Sequence, residues 1–91
     1  MNNPVQTMPQ ADIDTVLVID DTPESLRFLA DTLEAEGMRV LIATSGEAAI
    51  ALLEHVTPDL ILMDAIMPGM GGFEATKLIK RAPATAHIPI V

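Results

Sequence analysis

The chain has 91 residues, thirteen acids against five bases for a net charge of −8, and no cysteine. That length holds one domain, and that charge opposes nucleic acid and anionic membranes, so neither is expected as a direct partner. Disulfides, thiolate metal sites and Cys nucleophiles are excluded, which fits a cytoplasmic protein.

Residues 1–14, MNNPVQTMPQADID, lack both a basic start and an apolar run. They read as a polar leader, neither signal peptide nor membrane anchor. Residues 15–91 form the folded unit. Its first segment, TVLVI (Thr15 to Ile19), is apolar without alternation, as in a strand buried on both faces. Asp20 and Asp21 end it. In TPESLRFLADTLEAEG, Thr22 suits an N-cap and Pro23 the first helical position. Leu26, Leu29, Ala30 and Leu33 make one helical stripe, and Gly37 marks the stop.

Residues Arg39 to Ala43, RVLIA, predict a second strand. Thr44 and Glu47 in TSGE have capping-box spacing. Ala49, Leu52, Leu53 and Val56 give the next stripe, ended by Pro58. LILM (Leu60 to Met63) predicts a third strand closed by Asp64, and the loop AIMPGMGG is a shaped turn. A third helix spans about Gly72 to Arg81, with Ala75, Leu78, Ile79 and Ala82 as its stripe. Lys77, Lys80 and Arg81 near its end suit the helix dipole and read as a solvated face. After APATAH, IPIV begins a fourth strand.

The order βαβαβαβ predicts an α/β fold, a doubly wound parallel sheet with helices on both faces. The first and third helices are expected on one face and the second on the other. With strand order 2-1-3-4, the first and third strands are neighbours at the switch point, where ligands of such sheets bind. Asp20, Asp21 and Asp64 then converge there. An acid pair after a strand is ordinarily a decoration of the following helix N-terminus. Three converging carboxylates, however, repel one another and call for a hard divalent cation. Mg²⁺ suits one or two carboxylates, waters and a phosphate oxygen. Beside such a cation, a carboxylate can attack a phosphoryl group.

VLVIDD, DLILMD and the following MPGMGG, at this spacing and on these elements, resemble the response-regulator receiver domains of two-component systems, of flavodoxin-like fold. The resemblance runs from about Thr15 to Val91. It implies that Asp64 is the phosphoacceptor, that Asp21 ligates Mg²⁺ directly and that Asp20 holds it through water. It also implies that the backbone carbonyl of Ile66 is the remaining protein ligand, with Met67, Pro68 and Gly69 shaping the loop. The donor would be a phospho-His on a sensor histidine kinase or phosphotransfer protein. The phosphorylated domain would switch an attached or separate output domain. A receiver is a regulatory phosphoacceptor that assists its own phosphorylation and dephosphorylation, not an enzyme with a separate substrate. DDTPES and SGEAAI resemble receivers joined to hybrid sensor kinases and cyclic-dinucleotide synthases.

Departures from the family pattern bear on function. The family's switch Ser or Thr and its phosphoryl-binding Lys would both fall beyond Val91, as would the fifth strand. A chain truncated after the fourth strand would expose that strand as an open edge, a template for dimer formation. The alternative function is therefore a truncated or degenerate receiver that only binds or dimerises. Gly71 stands where the family often has Asp, which weakens the cap of the third helix. An aspartate-nucleophile phosphatase would need a second acid at position 66, where Ile66 stands. His55 and His87 have no ligand partner in sequence and read as surface or cap residues.

Overall fold

The apolar runs that lack alternation pair with one another in a computed structural model, which describes residues 13–64 and 71–91. Its elements are β1 (Thr15–Ile19), α1 (Pro23–Ala35), β2 (Arg39–Ala43), α2 (Gly46–Leu53), β3 (Leu60–Met63) and α3 (Gly72–Arg81). The strands form a parallel sheet in order β2-β1-β3. Val16, Leu17, Val18 and Ile19 of the central strand are all buried, because helices cover both of its faces. The fourth apolar run reaches the free side of β3 as a parallel bridge between Ile61 and Ile90. Ile61 N–H donates to Pro89 O, Val91 N–H to Ile61 O and Met63 N–H to Val91 O, at 2.9–3.0 Å. The expected order 2-1-3-4 therefore holds, the last member being a bridge rather than a full strand.

The helices are distributed differently from the expectation. Leu26, Leu29 and Leu33 of α1 pack with Val16, Val18, Val40, Leu60 and Leu62 on one face. On the other face, Ala49, Leu52 and Leu53 of α2 and Ile79 of α3 pack with Leu17, Ile19, Ile61 and Ile88. The second and third helices thus share a face and the first lies alone. Parallel crossovers are right-handed, so a connection's face depends on the direction in which it steps across the sheet. The step from β1 to β2 runs one way. The steps from β2 to β3 and from β3 to the fourth run go the other, which places α2 and α3 together.

The helix ends also correct two expectations. The cap of α2 is Ser45, whose Oγ accepts from Ala48 N–H at 3.0 Å, rather than a Thr44–Glu47 capping box. Helix α2 stops at Leu53, not at Pro58. The β-branched Val56 and Thr57 precede a proline, which disfavours helical backbone there. Gly37 ends α1 with φ +88°, the left-handed conformation that glycine adopts without strain. Gly71 caps α3 without a side-chain hydrogen bond. In the α3 stripe, Ala75 and Ile79 are buried, whereas Leu78 and Ala82 are exposed.

The leader expected over 1–14 falls outside the described residues except at its end. There, half-buried Ile13 packs beneath α1's face of the sheet, so the core begins before the strand does. The Asp59 carboxylate accepts the N–H groups of Asp14 and Thr15 at 2.9 and 3.0 Å, and its own N–H donates to Thr15 O. Those bonds pull the Asp59 carboxyl below its ordinary pKa, against a small opposing effect of burial. Lys80 is more than a solvated charge. Its Nζ donates to Ala86 O at 3.0 Å and Ile88 O at 2.6 Å, holding the turn that leads to the fourth run.

Candidate metal centre

Sheet register brings the acids together. Ile19 of β1 pairs with Met63 of β3 and with Ala43 of β2. The residues that follow continue the ladder for one step. Asp64 N–H donates to Ile19 O at 2.9 Å, and Asp20 N–H donates to Ala43 O at 3.1 Å. Asp20 and Asp64 are therefore lateral neighbours at the carboxyl edge of the sheet, and Asp21 enters from the turn into α1. One carboxylate oxygen from each of Asp20, Asp21 and Asp64 lies within 4.8 Å of the others. Asp20 and Asp64 are half-buried and Asp21 is exposed.

The surroundings suit a cation. Asp20 and Asp64 border an open cleft whose wall includes Thr22, the residue before α1, Ser25 of α1, Met63 and Val91. The positive end of the α1 dipole faces this edge and eases the crowding of negative charge. It does not neutralise three carboxylates. The donors are all oxygen, and the opening leaves space for water. A small hard divalent ion such as Mg²⁺ takes that donor set, keeps several waters and accepts one or two carboxylates. Ile66, Met67, Pro68 and Gly69 lie outside the described residues, so the expected Ile66 carbonyl ligand is not located here. His55 and His87 are both exposed. The acids of the site are Asp20, Asp21 and Asp64 alone among the described residues' grouped metal-binding candidates.

One member of the site escaped sequence reasoning. Asp20 Oδ1 accepts the backbone N–H of Thr22 at 2.9 Å. Thr22 is the N-cap of α1, but its hydroxyl makes no capping bond. The signal was present in DDTP: Pro23 at the first helical position places an Asp two residues ahead of the N-cap.

Relatives carry the same architecture. The protein-family model described as the response regulator receiver domain matches residues 16–91. The chain is 38% identical over 76 residues to Protein PilH of Pseudomonas aeruginosa, covering 84% of this chain and 63% of that protein. It is 42% identical over 76 residues to the response regulator PleD of Caulobacter vibrioides, covering 84% of this chain and 17% of that protein. The chain thus spans less than two thirds of either relative. Among solved structures, the response regulator TrrA of Thermotoga maritima, in complex with Mg²⁺ and BeF, aligns with a TM-score of 0.72 at 32% identity, over 76% of this chain and 60% of that one. No helix among the described residues is long and apolar enough to cross a membrane. A flavodoxin-like sheet, an acidic carboxyl edge and a family match over all but the first fifteen residues lead to one conclusion: the chain belongs to the response regulator receiver domain family of two-component signalling.

Proposed function

We propose that this domain accepts a phosphoryl group on Asp64 from a phospho-His donor, with Mg²⁺ held by Asp21 directly, by Asp20 through water, by Asp64 and by the carbonyl of Ile66. The observation that carries this reading is the approach of the three carboxylates to within 4.8 Å at the edge joining β1 and β3. The TrrA complex supports the choice of metal, since that relative holds Mg²⁺ with BeF.

Asp64 is the nucleophile. As its oxygen forms a bond to phosphorus, the donor's phosphorus–nitrogen bond breaks and the departing imidazole takes up a proton. Asp64's backbone is tied to Ile19 O, which holds the carboxylate at the mouth of the cleft while the donor approaches. When bound, Mg²⁺ supplies the positive charge that offsets the carboxylates and the phosphoryl oxygens. Catalysis of this kind is mostly positioning and charge neutralisation. The donor is a sensor histidine kinase or phosphotransfer protein, the phosphorylated domain acts on an attached or separate output domain, and the setting is the cytoplasm.

Labelling tests the assignment. The full-length protein, incubated with Mg²⁺ and a small acyl phosphate, gains one phosphoryl group that hydroxylamine and base both remove, as an acyl phosphate requires. Asp64→Asn abolishes the labelling, and Asp21→Ala abolishes the Mg²⁺ dependence together with most of the signal. Labelling that persists in Asp64→Asn would place the acceptor elsewhere.

A further inference from the structure

Asp20 stands between two elements and serves both. It follows β1 directly, and its carboxylate oxygen Oδ1 holds the N–H of Thr22 at the entrance to α1. We infer that the Thr22 backbone N–H is a positioning group for the cation site, and that Asp20 thereby couples occupancy of that site to the order of the first turn of α1. The inference rests on the reading of Asp20, Asp21 and Asp64 as the Mg²⁺ site.

Thr22 has extended backbone, φ −99° and ψ 113°, and its side chain does not cap the helix. Pro23 follows and has no N–H to offer. The chain's usual capping group is therefore idle, and the bond from Thr22 N–H to Asp20 fastens the helix entrance instead. The first helical bond, Leu26 N–H to Thr22 O at 3.0 Å, begins at the same residue.

The same bond acts on the acids. Three carboxylates within 4.8 Å repel, and the side chain of a half-buried Asp at an open edge relieves that repulsion by rotating outward. The Thr22 N–H opposes the rotation by fixing one carboxylate oxygen. The rotamer of Asp20 is thus ordered before a cation arrives, and a pre-ordered ligand binds more tightly than a mobile one. The second oxygen and the remaining lone pairs stay available to the waters around the ion. Linkage makes the effect reciprocal. Once Asp20 is restrained from the cation side, its bond to Thr22 is broken less often, and the first turn of α1 frays less.

Three measurements on the purified chain decide the matter: Mg²⁺ affinity by calorimetry, urea stability, and amide hydrogen exchange with and without Mg²⁺. Thr22→Pro removes the N–H while leaving Asp20 intact, and a backbone ester at position 22, made by chemical synthesis, does so without adding a ring. Both weaken Mg²⁺ binding by about three- to tenfold, the effect of releasing one ordered side chain. Asp31→Gly, in the exposed middle of α1, lowers urea stability but leaves Mg²⁺ affinity unchanged, which separates positioning from general helix loss. In the wild type, Mg²⁺ slows exchange of the Leu26 amide. Wild-type affinity in the ester variant, or a Leu26 amide indifferent to Mg²⁺, overturns the inference while leaving the cation site standing. A wild type that binds no Mg²⁺ removes the cation reading itself. A Thr22→Pro chain that fails to fold leaves the ester to decide.

Discussion

Single residues differ in how much of their role is visible in the chain. Asp20, Asp21 and Asp64 were legible because each closes an apolar run, and the alternation of elements brings such ends to one edge. Asp59 was not, since its work lies in bonds to Asp14 and Thr15, more than forty residues away in sequence. Its lowered pKa gives that work a pH signature. The folded state holds the ionised form, so the stabilisation is fully present above the unfolded carboxyl value of about 3.9 and is lost as pH falls through the lower folded value. At neutral pH, Asp59→Ala is expected to cost about 1 kcal/mol or less, because the site is solvent-exposed and screened. Urea melts of wild type and variant should differ at pH 7 and converge in strong acid. A constant difference across that range would mean that the carboxylate charge is irrelevant.

At the scale of elements, strand identities and order were readable, while helix placement was not. Periodicity reports that a helix has an apolar stripe, but not the side of the sheet on which it lies. The direction of each step across the sheet decides that, and it reverses only once, at β2. Within α3, the stripe overstated burial in the same way. Ile79 is buried among Leu17, Ile61 and Ile88, whereas Leu78 is 37% exposed at a groove between α2 and α3. Ile79→Ala should therefore cost about 3 kcal/mol, and Leu78→Ala less than about 1 kcal/mol. Denaturant midpoints of the two variants test the difference. Equal losses would mean that α3 packs through a different face. The caps show a similar limit. Thr44 and Ser45 both suit an N-cap by residue type, and the backbone chose Ser45.

For the molecule as a whole, thirteen acids on 91 residues favour the unfolded chain, in which like charges lie farther apart. Much of this repulsion is concentrated where Asp20, Asp21 and Asp64 meet. A ligand that binds only the folded state stabilises it by mass action. Mg²⁺ at a hundredfold over its dissociation constant should add about 2.7 kcal/mol, a rise in Tm of about 10 °C or more for a domain of this size. Monovalent salt at equal ionic strength should give a smaller rise, through screening alone. Thermal melts in MgCl₂ and in matched NaCl distinguish the two. Equal shifts would mean that Mg²⁺ acts only as salt.

The parallel sheet also has two unlike ends. The acids stand at the carboxyl ends of β1 and β3, whereas the clasp of Asp59 on Asp14 and Thr15 closes the amino ends. A five-residue strand separates them, about 16 Å of extended backbone. Residue 13 therefore lies at the end of the sheet opposite Asp20 and Asp64, beside the clasp. A fluorophore attached at that end stands about a strand's length from Asp64. On the function proposed above, it is a handle for watching a donor protein dock at the acidic end.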